Sequence, residues 1–208
     1  MKIDLHVHTA PRSKCSNIDP KEIIAEAKKI GLDGICITEH QVLWSTEEIS
    51  ELAGQENIKL FRGNEITTAQ GVVLVFGLAK NIEGVIPIQM LKKEVDMAGA
   101  FSILAHPFRG FKVFGISDLK MSVEQASKKK ALGFVDAIEI MNGKVSGLDN
   151  EMAKNVAEQL GLPGTAGSDA HNLDEIGTCV TIFENKIENE QELVTELRAR
   201  RFSIGSLR

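Results

Sequence analysis

The sequence predicts an α/β fold. Three observations carry this: short β-type runs alternate with amphipathic stretches along the chain, turn signals separate them, and several runs are almost wholly apolar. Runs of the last kind suit strands covered on both faces. With 208 residues, 43% hydrophobic and 25% charged, the chain can bury one substantial core, and residues 1–208 are expected to form a single domain.

Ile3–Val7 is the first predicted strand, followed by a helix over Pro20–Ile30. Asp19 is the candidate N-cap of that helix, Pro20 takes its first position, Glu22 lies in its first turn and Gly31 stops it. Gly34–Thr38 reads as the second strand and Thr46–Ala53 as the second helix. Two strands, Lys59–Glu65 and Val72–Leu78, then follow without a helix between them. A helix over Pro87–Ala98, ended by Gly99, leads to the strand Phe101–Ala105. The helix Ser122–Leu132 precedes the strand Val135–Met141, and Asn150–Leu160, ended by Gly161, precedes Leu162–Gly167. Thr178–Phe183 and the helix Glu190–Arg200 complete the pattern, with no linker, repeat or low-complexity segment. Such alternation permits an open doubly wound sheet or a closed barrel, and both gather their sites at the carboxyl ends of the strands.

Composition narrows the partners. A formal charge of -5 leaves no basic face suited to nucleic-acid backbone as the main partner. Lys128-Lys129-Lys130 and Arg198/Arg200/Arg201 read as solvated helix ends. Cys15, Cys36 and Cys179 are odd in number and lack paired spacing, so neither a disulfide framework nor a zinc ribbon is indicated. The start of the chain lacks a basic region followed by an apolar one, and no apolar run approaches the roughly 20 residues of a membrane helix. A cytoplasmic protein with no membrane partner is expected. Oligomeric state is not legible.

The five histidines concentrate the chemistry, because every one lies at or just beyond the carboxyl end of a predicted strand. His6 and His8 end the first strand, His40 follows the second, His106 the fifth and His171 the seventh. Side chains two apart on a strand project to one side, so His6/His8 and Asp169/His171 can each grip an ion as a pair. Glu65, at the end of the third strand, is the nearest candidate carboxylate. Imidazole mixed with carboxylate, without thiolate, suits Zn, Mn or Fe at a catalytic centre better than a closed structural site. Such ions activate water and hold the oxygens of a displacement at phosphorus.

The segments Asp4-Leu5-His6-Val7-His8-Thr9, Ile37-Thr38-Glu39-His40, Gly63-Asn64-Glu65, Ala105-His106-Pro107 and Gly167-Ser168-Asp169-Ala170-His171 resemble, in order, the signatures of the PHP (polymerase and histidinol phosphatase) superfamily. The resemblance extends over essentially the whole chain. It implies a distorted (β/α)7 barrel of seven parallel strands and one to three divalent metal ions per chain at the strand carboxyl ends. It also implies hydrolysis of a small phosphorylated metabolite or nucleotide by a metal-activated hydroxide. By the same resemblance, His6, His8, Glu65 and Asp169 hold one ion, Glu65 bridges to a second held by His106, and His40 and His171 hold a third.

This chain departs from the family pattern at three places. Val72 or a neighbour stands where many members carry a histidine, and Lys14 or Cys15 where many carry an acidic or histidine ligand; Cys15 is either a soft ligand or a packed residue. Glu39 replaces the usual aspartate, so it either orients His40 or binds an ion directly. Arg12, Arg62 and Arg109 are candidates for phosphate recognition, and Arg109, three residues past His106, is the best placed. Arg12 and Arg62 read better as surface arginines. Arg109 and Glu39 are thus the candidate catalytic residues. Asn142 and Lys144 fall on the same side, and the loop aromatics Trp44, Phe111 and Phe114 can stack on a ring or pack as a lid. The alternatives are an amidohydrolase-type metal hydrolase and a non-catalytic module with a decayed site.

Overall fold

The computed structural model describes residues 1–54, 56–110 and 121–208. The chain forms β1 (Lys2–Val7), α1 (Ile23–Ile30), β2 (Gly34–His40), α2 (Thr46–Ala53), β3 (Lys59–Thr68), β4 (Gly71–Phe76), α3 (Ile88–Ala98) and β5 (Phe101–Leu104). It continues through α4 (Val123–Ala126), β6 (Ala137–Asn142), α5 (Gly147–Leu160), β7 (Gly164–Gly167), β8 (Val180–Phe183), α6 (Glu190–Ala199) and β9 (Phe202–Gly205).

One nine-stranded sheet joins them in the order β7-β6-β5-β4-β3-β2-β1-β8-β9. The pairs β1–β2, β2–β3, β5–β6 and β6–β7 are parallel. The sheet curls until the chain beyond β7 meets the end of β1. There Val7 bridges Ala170 in parallel, His8 N donates to Ala170 O at 3.0 Å, and Ala170 N donates to His6 O at 3.3 Å. At its other end β1 pairs with β8, so the fold is mixed α/β with a nearly closed, barrel-like sheet.

The seven parallel strands implied by the family pattern are not what the sheet contains. β4 runs antiparallel to both β3 and β5 because only Ala69-Gln70 separates β3 from β4, too short a link for a parallel crossover. The hairpin of β8 and β9 extends the sheet beyond β1, and β9 has no counterpart among the predicted strands.

Helix ends also shift. α1 starts at Ile23 instead of Pro20, because Asp19 closes a preceding turn: its carboxylate accepts from Lys21 N and its carbonyl from Glu22 N. The predicted helix Ser122–Leu132 divides into α4, capped by the reciprocal pair Ser122 and Gln125, and a separate 3-10 turn at Lys130–Phe134. Gly31, Gly99 and Gly161 do end their helices, all with left-handed backbone.

Three apolar clusters hold the sheet. Ile3, Leu5, Phe61, Phe76, Phe101 and Ile103 pack with α6 through Leu193, Val194 and Leu197. α1 and α2 cover Val7, Ile35 and Ile37, while α3 and α5 cover Val73, Val75, Leu104 and Ile138. No helix among the described residues is long and apolar enough to cross a membrane.

Candidate metal centre

The carboxyl ends of β1, β2, β3, β5, β6 and β7 converge, and with them the seven residues expected as ligands. Three overlapping groups have ligand atoms all within 4.8 Å of one another: His6/His8/Asp169, His6/Glu65/His106 and His8/His40/His171. His6 and His8 belong to two groups each and are fully buried, whereas His40 is exposed at the rim. Glu65 lies at the centre. Its Oε1 is 3.1 Å from His106 Nε2 and 3.4 Å from His6 Nε2, and its Oε2 is 2.6 Å from His40 Nδ1 and 3.4 Å from His8 Nε2.

Local backbone sets these positions. A register shift between Asp4 and Val7 re-aims β1 where it delivers His6. Asp169 and His106 have positive φ, 57° and 29°, and such strain is tolerated where surrounding bonds over-determine the conformation. Asp4 supplies such bonds. Its buried carboxylate accepts from His6 N, Ser168 N and Gly177 N, tying β1 to the turn that carries Asp169. Burial pushes the Asp4 carboxyl up to about 6 against those hydrogen bonds.

The imidazole partners decide which nitrogens face the cavity. His6 Nδ1 lies 2.9 Å from Glu139 Oε1, and His171 Nδ1 lies 2.8 Å from the Asp169 carbonyl. His8 Nδ1 lies 3.2 Å from Ser13 Oγ, which itself donates to Glu39. Each of these oxygens is placed to accept a proton from Nδ1, an arrangement that would leave Nε2 for the cavity. His6 Nε2 and His8 Nε2 are then 3.1 Å apart. Two lone pairs at that separation repel unless a proton or a cation stands between them.

The electrostatics agree. Burial disfavours a charged His6, yet Glu139, Asp169 and Glu65 outweigh it and raise its pKa well above the usual value. His8 moves down through burial and its histidine neighbours. Glu65 and Asp169 are held well below the ordinary carboxylate range, because His6 and the neighbouring imidazoles overcome burial. Glu65 Oε2 is buried without a properly oriented hydrogen bond. A pocket of buried carboxylates and inward-facing imidazole nitrogens fits a divalent cation.

Several expected roles change. Glu39 does not orient His40: it accepts from Thr9 N and Thr9 Oγ1, from Ser13 Oγ, and from Trp44 Nε1 at 3.1 Å, so through Ser13 it supports His8. The reason is strand alternation, which sends Glu39 to the face opposite His40. Arg62 is engaged away from the site, with Nε and Nη2 on the two oxygens of Glu190 at 2.6 and 2.8 Å. Arg12 pairs with Glu48 and lies 4.0 Å over the Trp44 ring. Trp44 therefore packs under Arg12. Arg109 reaches the site, with Nη2 2.6 Å from Asp169 Oδ2 and its side chain 42% exposed.

Cys15 is exposed with Sγ 3.2 Å from His40 Nε2, so it is not a packed residue, and it belongs to none of the three groups. Val72 pairs with Thr67 and packs against the barrel cluster. Lys144 pairs with Glu175, and Asn142 Nδ2 donates to Glu139. Phe111 and Phe114 lie outside the described residues.

Sequence reasoning misses Glu139 and Asp4 as supports. Each is marked by a carboxylate inside an otherwise apolar strand run, Ala137-Ile138-Glu139-Ile140 and Ile3-Asp4-Leu5.

Fold and site together define an α/β protein that gathers imidazoles and carboxylates, a donor set that fits a divalent cation, at the carboxyl ends of its strands. Residues 4–100 match the PHP domain model and residues 147–202 the model described as PHP-associated, and the chain belongs to the PHP superfamily. The uncharacterized protein MJ1587 of Methanocaldococcus jannaschii is 29% identical over 122 residues, spanning 52% of this chain and 68% of that one. Among solved structures, PsfC from Pseudomonas syringae aligns with a TM-score of 0.71 at 23% identity, covering 99% of this chain and 91% of that one. A two-domain protein from Bacteroides vulgatus containing a predicted PHP-like metal-dependent phosphoesterase aligns with a TM-score of 0.72 at 22% identity. It is matched over 99% of this chain and 64% of its own.

Proposed function

We propose that residues 1–208 form one metal-dependent phosphoesterase domain that releases phosphate from a small phosphorylated metabolite or nucleotide. The observation that carries this reading is the Asp169 carboxylate. Its Oδ1 lies 3.6 Å from His6 Nε2 and 3.4 Å from His8 Nε2, while its Oδ2 holds the half-exposed Arg109 guanidinium. A phosphate-binding fork and a metal-binding pair thus meet at one side chain.

His6, His8, Glu65 and Asp169 would hold one Zn, Mn or Fe ion, with His106, His40 and His171 available to further ions. A bound divalent cation supplies a Lewis acid for phosphoryl oxygens and activation of water. Arg109 binds and orients the phosphate group through its remaining N–H donors. Asp169 keeps that guanidinium turned into the cavity. Glu139, Ser13 and the Asp169 carbonyl hold the Nδ1 protons of His6, His8 and His171, so these rings stay oriented through the reaction.

Metal-reloaded protein should release inorganic phosphate from a panel of small phosphate esters, and His6→Ala should abolish it. A panel without release, or wild type indistinguishable from His6→Ala, sinks the reading. Activity that survives Arg109→Ala, is not inhibited by phosphate and cleaves amides instead would favour amide hydrolysis.

A further inference from the structure

Glu139 stands outside the three ligand groups, yet it is 1% exposed and touches two of them. Its Oε1 lies 2.9 Å from His6 Nδ1, and its Oε2 accepts from His106 N at 2.8 Å and from Asn142 Nδ2 at 2.9 Å. One carboxylate on β6 therefore joins β1, the turn after β5 and its own strand end. It holds the backbone of His106 at a residue whose φ is +29°. The chain makes room for this contact at Gly167, where an added Cβ would lie 2.5 Å from His6 Cβ and 3.0 Å from Glu139 Oε1.

We infer that Glu139 is the positioning residue of the centre: it keeps the His6 ring in the Nδ1–H tautomer and so reserves Nε2 for the metal. This rests on the reading of His6 as a metal donor. The stoichiometry of donors explains why a carboxylate is needed. Three N–H groups converge on two oxygens, and an ionised carboxylate accepts from all of them without presenting a proton. A glutamine there has one acceptor oxygen and an NH2. Its oxygen satisfies two donors when turned toward His106 N and Asn142 Nδ2 and only one when turned toward His6, so the NH2 is directed at the His6 ring. With the NH2 toward His6, the ring is driven to carry its proton on Nε2, which removes it as a ligand.

The test uses Zn²⁺ alone, without substrate. Calorimetric titration of metal-free protein should show the tightest Zn²⁺ bound about 10–100-fold more weakly in Glu139→Gln than in wild type. In the Zn²⁺-loaded wild type, proton–nitrogen correlation of the His6 ring should show the proton on Nδ1, slow to exchange. In Glu139→Gln that signal should vanish or move to Nε2. A role confined to holding the fold together would lower the melting temperature of Glu139→Gln and leave the tautomer alone. Gly167→Ala is the second variant, displacing His6 and Glu139 without removing a polar group, and it should reproduce the Zn²⁺ loss.

Zn²⁺ affinity within threefold of wild type, with the His6 Nδ1 proton retained in folded Glu139→Gln, would overturn the inference. So would an Nε2–H tautomer of His6 in Zn²⁺-loaded wild type, whether or not any variant folds. Neither readout depends on turnover. A failed phosphate-release assay leaves this inference standing, and its failure leaves the phosphoesterase reading open.

Discussion

Removing Asp4 should unlatch the barrel. Its Oδ1 accepts from His6 N at 3.2 Å and Ser168 N at 2.9 Å, and its Oδ2 from Gly177 N at 2.9 Å. Asp4→Ala orphans these three N–H groups, at roughly 2 kcal/mol each. Against this stands the cost of keeping a fully buried carboxylate ionised. Burial raises the Asp4 pKa from 3.8 to about 6, which corresponds to about 3 kcal/mol. The net loss at pH 8 is therefore about 3 kcal/mol. The sign with pH follows from the raised value. A group whose folded pKa exceeds its unfolded one adds stability as pH falls through the folded value, and that gain is complete below the unfolded value. Wild type gains about 1 kcal/mol from Asp4 between pH 8 and pH 5, and Asp4→Ala cannot, so the deficit widens to about 4 kcal/mol at pH 5. Urea unfolding of metal-free protein at the two pH values, followed by circular dichroism, measures both quantities. A deficit under about 1 kcal/mol, or one that narrows toward pH 5, would refute the latch.

Other expectations follow from the same contacts. Ellman's reagent should titrate one fast thiol in native protein, at Cys15, because Cys36 is buried with its pKa raised well above the usual value and burial holds Cys179 at about 12; a second fast thiol would contradict the packing. Arg109→Ala should lower kcat/KM for a phosphate ester about 30-fold, the equivalent of about 2 kcal/mol of charge-assisted bonding, with stability nearly unchanged. Arg62→Ala should leave kcat/KM at the wild-type level and cost about 1 kcal/mol of stability in a urea titration, since it breaks the pair with Glu190 and a longer hydrogen bond to the Trp44 carbonyl. Glu39→Gln should shift the emission of Trp44, the chain's single tryptophan, by altering the carboxylate that accepts its indole N–H; an unchanged spectrum would argue against that contact.

Much of the centre is legible in the order of residues alone. A histidine recurs at strand end after strand end, and two-residue spacing puts His6 with His8 and Asp169 with His171 on common sides, so candidate ligands can be named one by one. The supports are less legible. Glu139 and Asp4 read as acids in apolar runs, but nothing local says that one meets His6 across 133 positions or that the other meets Gly177 across 173. Chain adjacency assigns Glu39 to His40, and alternation sends it to the opposite face.

What the sequence determined is the α/β alternation, most element positions, the glycine helix stops and the identity of the candidate donors, because these depend on local periodicity and residue chemistry. The tertiary structure decided the reversal of β4, the β8–β9 hairpin, the bulge that re-aims His6, and the engagement of Arg62 elsewhere while Arg109 reaches Asp169. Those outcomes arise from pairings between distant segments, where hydrogen-bond register and the burial of each carboxylate are settled only when the sheet closes on itself.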